Sequence, residues 1–228
     1  MDLQTEIENC IKKLFSIGTS SVYTLPTNKG NLYELYLYLL IFETLKNVSG
    51  NNATIINPNG SSTFKFRTSP GIVKNSKFSY AVILKGSKKF ELRNGIEIIG
   101  ININHEMDIL LLENQQIDNV RPNKLKGELV FALECKNHSA LSSLKGEVRK
   151  FLGAITDLTS FDHNLAGCIH CGIGFKPYFT TPLNNSHANN SLMNYANNYG
   201  LNPKFNLYPG SIEESNFIGE IQTLYNLL

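Results

Sequence analysis

Little in this sequence points to a membrane, an oxidising compartment or a surface massed with one sign of charge. Its most apolar run, Leu35 to Phe42, is far shorter than the roughly 20 residues that a bilayer crossing needs, and acidic residues flank it. No membrane partner is expected. The chain opens on an amphipathic stretch, with no charged segment followed by an apolar one, so no signal peptide is expected. Cysteine is scarce. Four in 228 residues are too few for a disulfide framework, which makes a reducing cytoplasm the expected compartment. The formal net charge is only +2, so any nucleic-acid binding must come from where the charges sit, not from their total. Neither a repeat nor a long linker interrupts the chain. With 42% hydrophobic and 18% charged residues it is expected to fold as one domain over residues 1–228.

What is present is an order of helical and strand-like periods. Leu3, Ile7, Cys10, Ile11, Leu14 and Ile17 recur at helical spacing behind Asp2 as a cap, and Gly18 ends that helix. Asn31 to about Lys46 reads as a second helix, apolar on nearly every side and therefore central. Strand-like runs follow at Ala53 to Asn57, Thr63 to Arg67, Phe78 to Leu84, Lys88 to Leu92, Ile96 to Ile103 and Met107 to Leu112. Gly86-Ser87 and Asn94-Gly95 read as turns between them, and Asn-Gly is a strong hairpin signal. Glu128 to Lys136, with Val130-Phe131-Ala132-Leu133 apolar on both faces, reads as a central strand. A helix from Leu141 to Leu158, a strand from Leu165 to Cys171 and a last amphipathic helix from Ile212 to Leu228 complete the order. The expectation is an α/β fold with a central mixed β-sheet flanked by helices. Its core spans about 30–171, with an N-terminal helix and a C-terminal extension.

Two charged patterns stand out against this apolar background. Asp108 lies in a strand beside Ile109 and Leu110, and Glu134-Cys135-Lys136 ends the central strand. A charge among buried neighbours needs a partner. Glu134 and Lys136 are two apart on a strand, so they share a face, roughly 6.6 Å apart along it. Phosphodiester hydrolysis needs such parts. Mg²⁺ takes hard oxygen ligands, which Asp108, Glu134 and the Cys135 carbonyl can supply, and Mn²⁺ should substitute. Lys136 can orient a water or balance charge on the phosphate.

This arrangement resembles the PD-(D/E)XK nuclease superfamily, which includes restriction endonucleases and Holliday-junction resolvases. Asp108 stands at its first acidic position and Glu134-Cys135-Lys136 at its E-x-K, with Met107 in place of the motif's proline. Glu34, in the helix before the sheet, matches the helical acid that many members use as a further metal ligand. The resemblance implies a restriction-endonuclease-like fold and a Mg²⁺-dependent endonuclease acting on DNA, with restriction or anti-phage defence as the setting. The interval between Asp108 and Glu134 is longer than in compact members, and a loop over residues 115–127 would absorb it. The alternative is a non-catalytic nucleic-acid-binding or assembly subunit that keeps the fold.

Other residues are candidates of lesser weight. Glu106 shares strand parity with Asp108 and is the rival ligand, and His105 and His138 flank the site. Lys145, Arg149 and Lys150 follow the E-x-K strand and can meet phosphates, as can Lys88 and Lys89 within the basic stretch from Lys74 to Arg93. Arg121 and Lys124 sit in the expected hairpin loop. Cys168-Ile169-His170-Cys171 looks like half a zinc site, but no second C-x-x-C exists, so both cysteines are expected in the core. The last helix carries Phe217, Ile218, Ile221, Leu224, Tyr225 and Leu227. That is enough apolar surface either to cover its own core or to form a two-fold interface, so a homodimer or a hetero-partner is possible on these residues.

Overall fold

The apolar run that reads as a central helix occupies the middle of the molecule. The computed structural model describes residues 3–18, 23–72, 77–99, 103–113, 129–137, 141–161, 175–183 and 187–228. It opens with α1 (Leu3–Gly18) and α2 (Lys29–Val48). Asn28 caps α2, its side chain accepting from the N–H of Gly30 at 2.7 Å and of Asn31 at 3.4 Å. Nearly all of α2 from Leu32 to Leu45 is buried, including three tyrosines. Two of those send their hydroxyls to main-chain carbonyls, Tyr33 to Leu207 and Tyr38 to Leu92, so the polar tips are satisfied inside the core.

The sheet consists of β1 (Ala53–Ile56), β2 (Tyr80–Lys85), β3 (Lys88–Ile99), β4 (Asn104–Glu113), β5 (Leu129–Cys135), β6 (Lys176–Thr180) and β7 (Asn202–Lys204), lying side by side in chain order. β1 to β5 pair antiparallel, whereas β5–β6 and β6–β7 pair parallel. The parallel half needs crossovers, and α3 (Leu141–Phe161) and α4 (His187–Asn198) supply them. α5 (Ile212–Leu227) closes the chain. One apolar layer joins α1, α2 and α5 to one face of the sheet, and a second joins α3 and α4 to the other. This is the mixed α/β sheet between helices that the element order predicts.

Three local expectations are corrected. Thr63 to Arg67 forms no ladder strand. Its backbone bonds instead to Ser79, through Lys65 N–H to Ser79 Oγ at 2.8 Å, and to the Asn94 side chain. Asn94-Gly95 makes no hairpin, because β3 continues through it. Asn94 pairs with Ile109 and Ile96 with Met107, with no residue gained or lost, although Gly95 has φ +57°. The stretch after residue 171 is no mere extension. It contributes β6, β7 and α4, hidden in sequence because Asn and Gly punctuate strands of only three to five residues. The expected strand Leu165 to Cys171, with Cys168 and Cys171, lies outside the described residues, as do Asp2, Arg121, Lys124 and His138.

Candidate active site

The positive φ at Gly95 reorganises the ribbon of β3 and β4. Phe90 and Leu92 pack in the layer under α2, yet Ile96 and Ile98, of the same parity, pack in the layer under α3. On β4 Met107 lies under α3 while Ile109 and Leu111 lie under α2. Both strands therefore change faces at one level, that of Asn94-Gly95 and Asp108. A parity change normally requires a register slip. Here a left-handed glycine achieves it without one. Asp108 sits at that level and is buried.

Around that level Asp108 acts on three other carboxyls: Glu34 and Glu106, which share its cleft, and Glu134, which does not line that cleft. Continuing the pairing of Ile109 with Leu133 by one step puts Asp108 opposite Glu134 on β5. Asp108 Oδ2 accepts the Cys135 N–H at 2.7 Å and lies 3.3 Å from Lys136 Nζ. Lys136 Nζ lies 2.5 Å from Glu134 Oε1. Glu34 on α2, Glu106 and Asp108 on β4, Cys135 and Lys136 all line one cleft of about 590 Å³. The sequence-predicted acid–acid–lysine set is thus brought together, and so is Glu34. Glu106 is on the rim of the same cleft.

The electrostatics are those of a crowded acidic site. Burial, then Asp108, holds the Glu34 carboxyl well above its usual range. Burial raises Asp108 although Lys136 and the Cys135 N–H oppose it, and Glu147 of α3 adds a smaller push upward. Burial, then Asp108, pushes Glu134 to about 8. Glu106 is raised by the same two causes. Burial alone would lower Lys136, but Asp108 and Glu134 outweigh it and hold the ammonium above its usual value. The fold holds these carboxyls against ionisation, with Lys136 and, at Glu106, Arg67 as the opposing cations, and a hard cation with oxygen ligands would favour the ionised forms. Among the described residues no three His, Cys, Asp or Glu side chains are already drawn into a ligand cluster. Lys136 occupies the space between Asp108 and Glu134 that such a cation would contest. The donor set fits Mg²⁺ or Mn²⁺, since the side chains that converge are carboxylates.

Two site residues escaped the sequence reading. Asn94, a turn residue by its dipeptide, donates to Glu34 Oε1 at 3.1 Å and to the Arg67 carbonyl at 2.7 Å, and accepts from the Arg67 N–H at 3.4 Å. Its amide so fixes a helix carboxylate and a loop at once. Arg67 is only 3% exposed and lines the cleft, with its guanidinium 4.4 Å from the Phe78 ring centroid. It fits because Gly95 and Gly71 lack side chains. A Cβ at Gly95 would stand 2.7 Å from Arg67 Cδ, and one at Gly71 would stand 1.8 Å from a guanidinium nitrogen. The signal for both lay in the Asn-Gly pair, which can serve a bend within a strand as well as a hairpin. Beside the site Asn137 donates to the Lys29 carbonyl at 3.1 Å, tying the end of β5 to the start of α2.

The remaining basic candidates lie elsewhere. Lys88 bonds to the Leu228 carbonyl at 3.2 Å and pairs with Glu113 at 3.8 Å, and Lys89 pairs with Glu91 at 3.8 Å. They sit five or six residues up β3 from Asn94, roughly 20 Å along the strand. Lys145 and Arg149 line a different groove, against Leu192 and Tyr195 of α4, and Lys150 pairs with Glu147 at 2.9 Å. His105 is bound to Asp157 of α3 at 2.7 Å. α5 turns Phe217, Ile221, Leu224 and Tyr225 into its own core, leaving Ile212 and Leu227 exposed. No described helix is long and apolar enough to cross a membrane.

Comparison with known proteins adds little to this geometry. No family model matches the chain, and no curated protein matches it. A solved structure, protein VC1899 from Vibrio cholerae, aligns with a TM-score of 0.40 at 10% identity, over 99% of this chain and 50% of that one. The chain thus spans half the length of that protein, and a likeness at this level decides neither fold family nor function.

Proposed function

We propose that this chain is a divalent-metal-dependent nuclease that hydrolyses phosphodiester bonds in DNA, with a site of restriction-endonuclease type. The observation that carries the reading is the convergence of Asp108, Glu134 and Lys136 at the pivot of β3 and β4, with Glu34 brought in from α2. A bound Mg²⁺ or Mn²⁺ supplies Lewis-acid polarisation of the phosphoryl group and makes water a better nucleophile at neutral pH. Asp108 and Glu134 offer the oxygen ligands, with Glu34 and the Cys135 peptide beside them. With Asp108 and Glu134 engaged as ligands, Lys136 would be left to hold a phosphate oxygen or to orient the attacking water. Water adds to phosphorus as the bond to the sugar oxygen breaks, and that oxygen leaves with a proton. One such site cuts one strand, so a break across a duplex calls for a second copy or a partner chain.

The test is cleavage of plasmid DNA. Mg²⁺ or Mn²⁺ should support it and EDTA should abolish it. Asp108→Ala, Glu134→Ala and Lys136→Ala should each lose at least about a hundredfold, roughly 2.7 kcal/mol of transition-state stabilisation. Undiminished cleavage by folded Glu134→Ala would remove the site assignment. DNA binding without cleavage under any divalent ion would favour a non-catalytic subunit.

A further inference from the structure

The acidic cleft does not end at Arg67. A second cleft of about 600 Å³ shares Asn28, Asn31 and Thr68 with it, so the two form one continuous groove between the start of α2 and the segment after Thr63. Its two halves differ in chemistry. The first holds Glu34, Glu106 and Asp108. The described wall of the second has no carboxylate; it presents Phe64, Phe66 and Phe78 together with Lys65. Phe64 is buried, but Phe66 and Phe78 are only half-buried.

Arg67 marks the junction. Its guanidinium lies against Phe78 and donates to the Ile72 carbonyl at 3.3 Å, and among the described residues no carboxylate stands within ion-pair distance of it. Burial and the nearby Arg93 lower its pKa, and Glu97 and Glu106 oppose that lowering. A shielded guanidinium without a close counter-ion is costly, and its planar fork suits a phosphate. Aromatic faces beside cations suit bases that have no stacking partner of their own. In a duplex both faces of each base are already stacked, so such a wall selects unpaired strands.

We infer that the groove binds an unpaired DNA strand, with a phosphate at Arg67, bases against Phe66 and Phe78, and the chain led onward to the carboxylates. This rests on the nuclease reading of the acidic half. It gives that site a substrate class for which one copy of the chain suffices.

The experiment is fluorescence anisotropy of labelled oligothymidylate, alone or annealed to oligodeoxyadenylate, in EDTA and again with Ca²⁺. Cleavage of the same probes with Mg²⁺ is followed alongside. The single strand should bind at least about tenfold tighter than the duplex. The Phe66→Leu, Phe78→Leu double variant keeps apolar volume but loses the rings, and Arg67→Met keeps the packed stem but loses the charge. Each should lose about tenfold in single-strand affinity while still unfolding cooperatively above the assay temperature, and Arg67→Met should also flatten the salt dependence. Duplex bound as tightly as single strand, or variants that bind as the wild type does, would overturn the inference. The two readings fail separately. Single-strand binding without cleavage keeps the groove and loses the nuclease, whereas cleavage indifferent to pairing keeps the nuclease and loses the groove.

Discussion

Replacing Glu134 with glutamine should stabilise the metal-free protein in alkaline solution and leave it nearly unchanged in mild acid. The ordinary glutamate value is 4.5, and burial beside Asp108 pushes Glu134 to about 8. The folded state therefore holds this proton more tightly than the unfolded chain does. Between those two values the unfolded chain has released it and the fold has not, so stability falls as pH rises through the window. The stabilisation is fully present below 4.5 and lost once pH exceeds about 8. Each tenfold in proton affinity corresponds to about 1.4 kcal/mol, so ionising Glu134 in the fold costs several kcal/mol. Glutamine keeps the shape and removes the charge. It also removes the Lys136–Glu134 contact, which offsets part of the gain, but Lys136 retains Asp108 at 3.3 Å. A net gain of at least about 1 kcal/mol should remain at about pH 9, or roughly 2–4 °C in Tm for a chain of this size. Lys136 adds no slope here, because its raised value acts only above the ordinary lysine value of 10.5. Thermal unfolding in EDTA at about pH 4.5 and about pH 9 is the assay. A glutamine variant that melts at or below the wild type in the alkaline buffer would show that the lysine contact outweighs burial and the neighbouring Asp108 carboxylate. The case for a cation at this site would then lose its electrostatic ground. Mn²⁺ should raise the wild-type Tm more than the variant's, since binding to the folded state alone stabilises by mass action.

Gly95→Ala should cost about 1–3 kcal/mol, because alanine at φ +57° is strained and its Cβ would stand 2.7 Å from Arg67 Cδ. Denaturant unfolding measures the loss, and an unchanged midpoint would mean that the ribbon can bend without a glycine. Phe217→Ala in α5 should cost about 3–5 kcal/mol, since its ring is fully buried and meets Tyr178 edge-on at 5.5 Å. A loss below about 1 kcal/mol would instead make α5 a dispensable appendage.

Much of the framework is dictated by local chemistry. The period of apolar residues in α1, the all-round apolarity of α2 and the five-residue apolar run of β5 have no other economical burial than helix, central helix and inner strand. The acid–acid–lysine set was legible for the same reason, as charges out of place in apolar strands, and strand parity alone puts Glu134 and Lys136 on one wall. The sequence could not say that Asn94-Gly95 bends a strand where it usually closes a hairpin. That choice depends on whether neighbours bury the dipeptide, and here Arg67, Glu34 and β4 surround it. Nor could it show that Arg67, remote in sequence from every acid of the site, lines their cleft. The short strands β6 and β7 carry too few residues to display a period, and their identity comes from parallel pairing onto β5. Local pattern decides which elements form. Only long-range packing decides which side chains meet, because at the level of a single left-handed glycine two strands exchange the layers that their side chains enter.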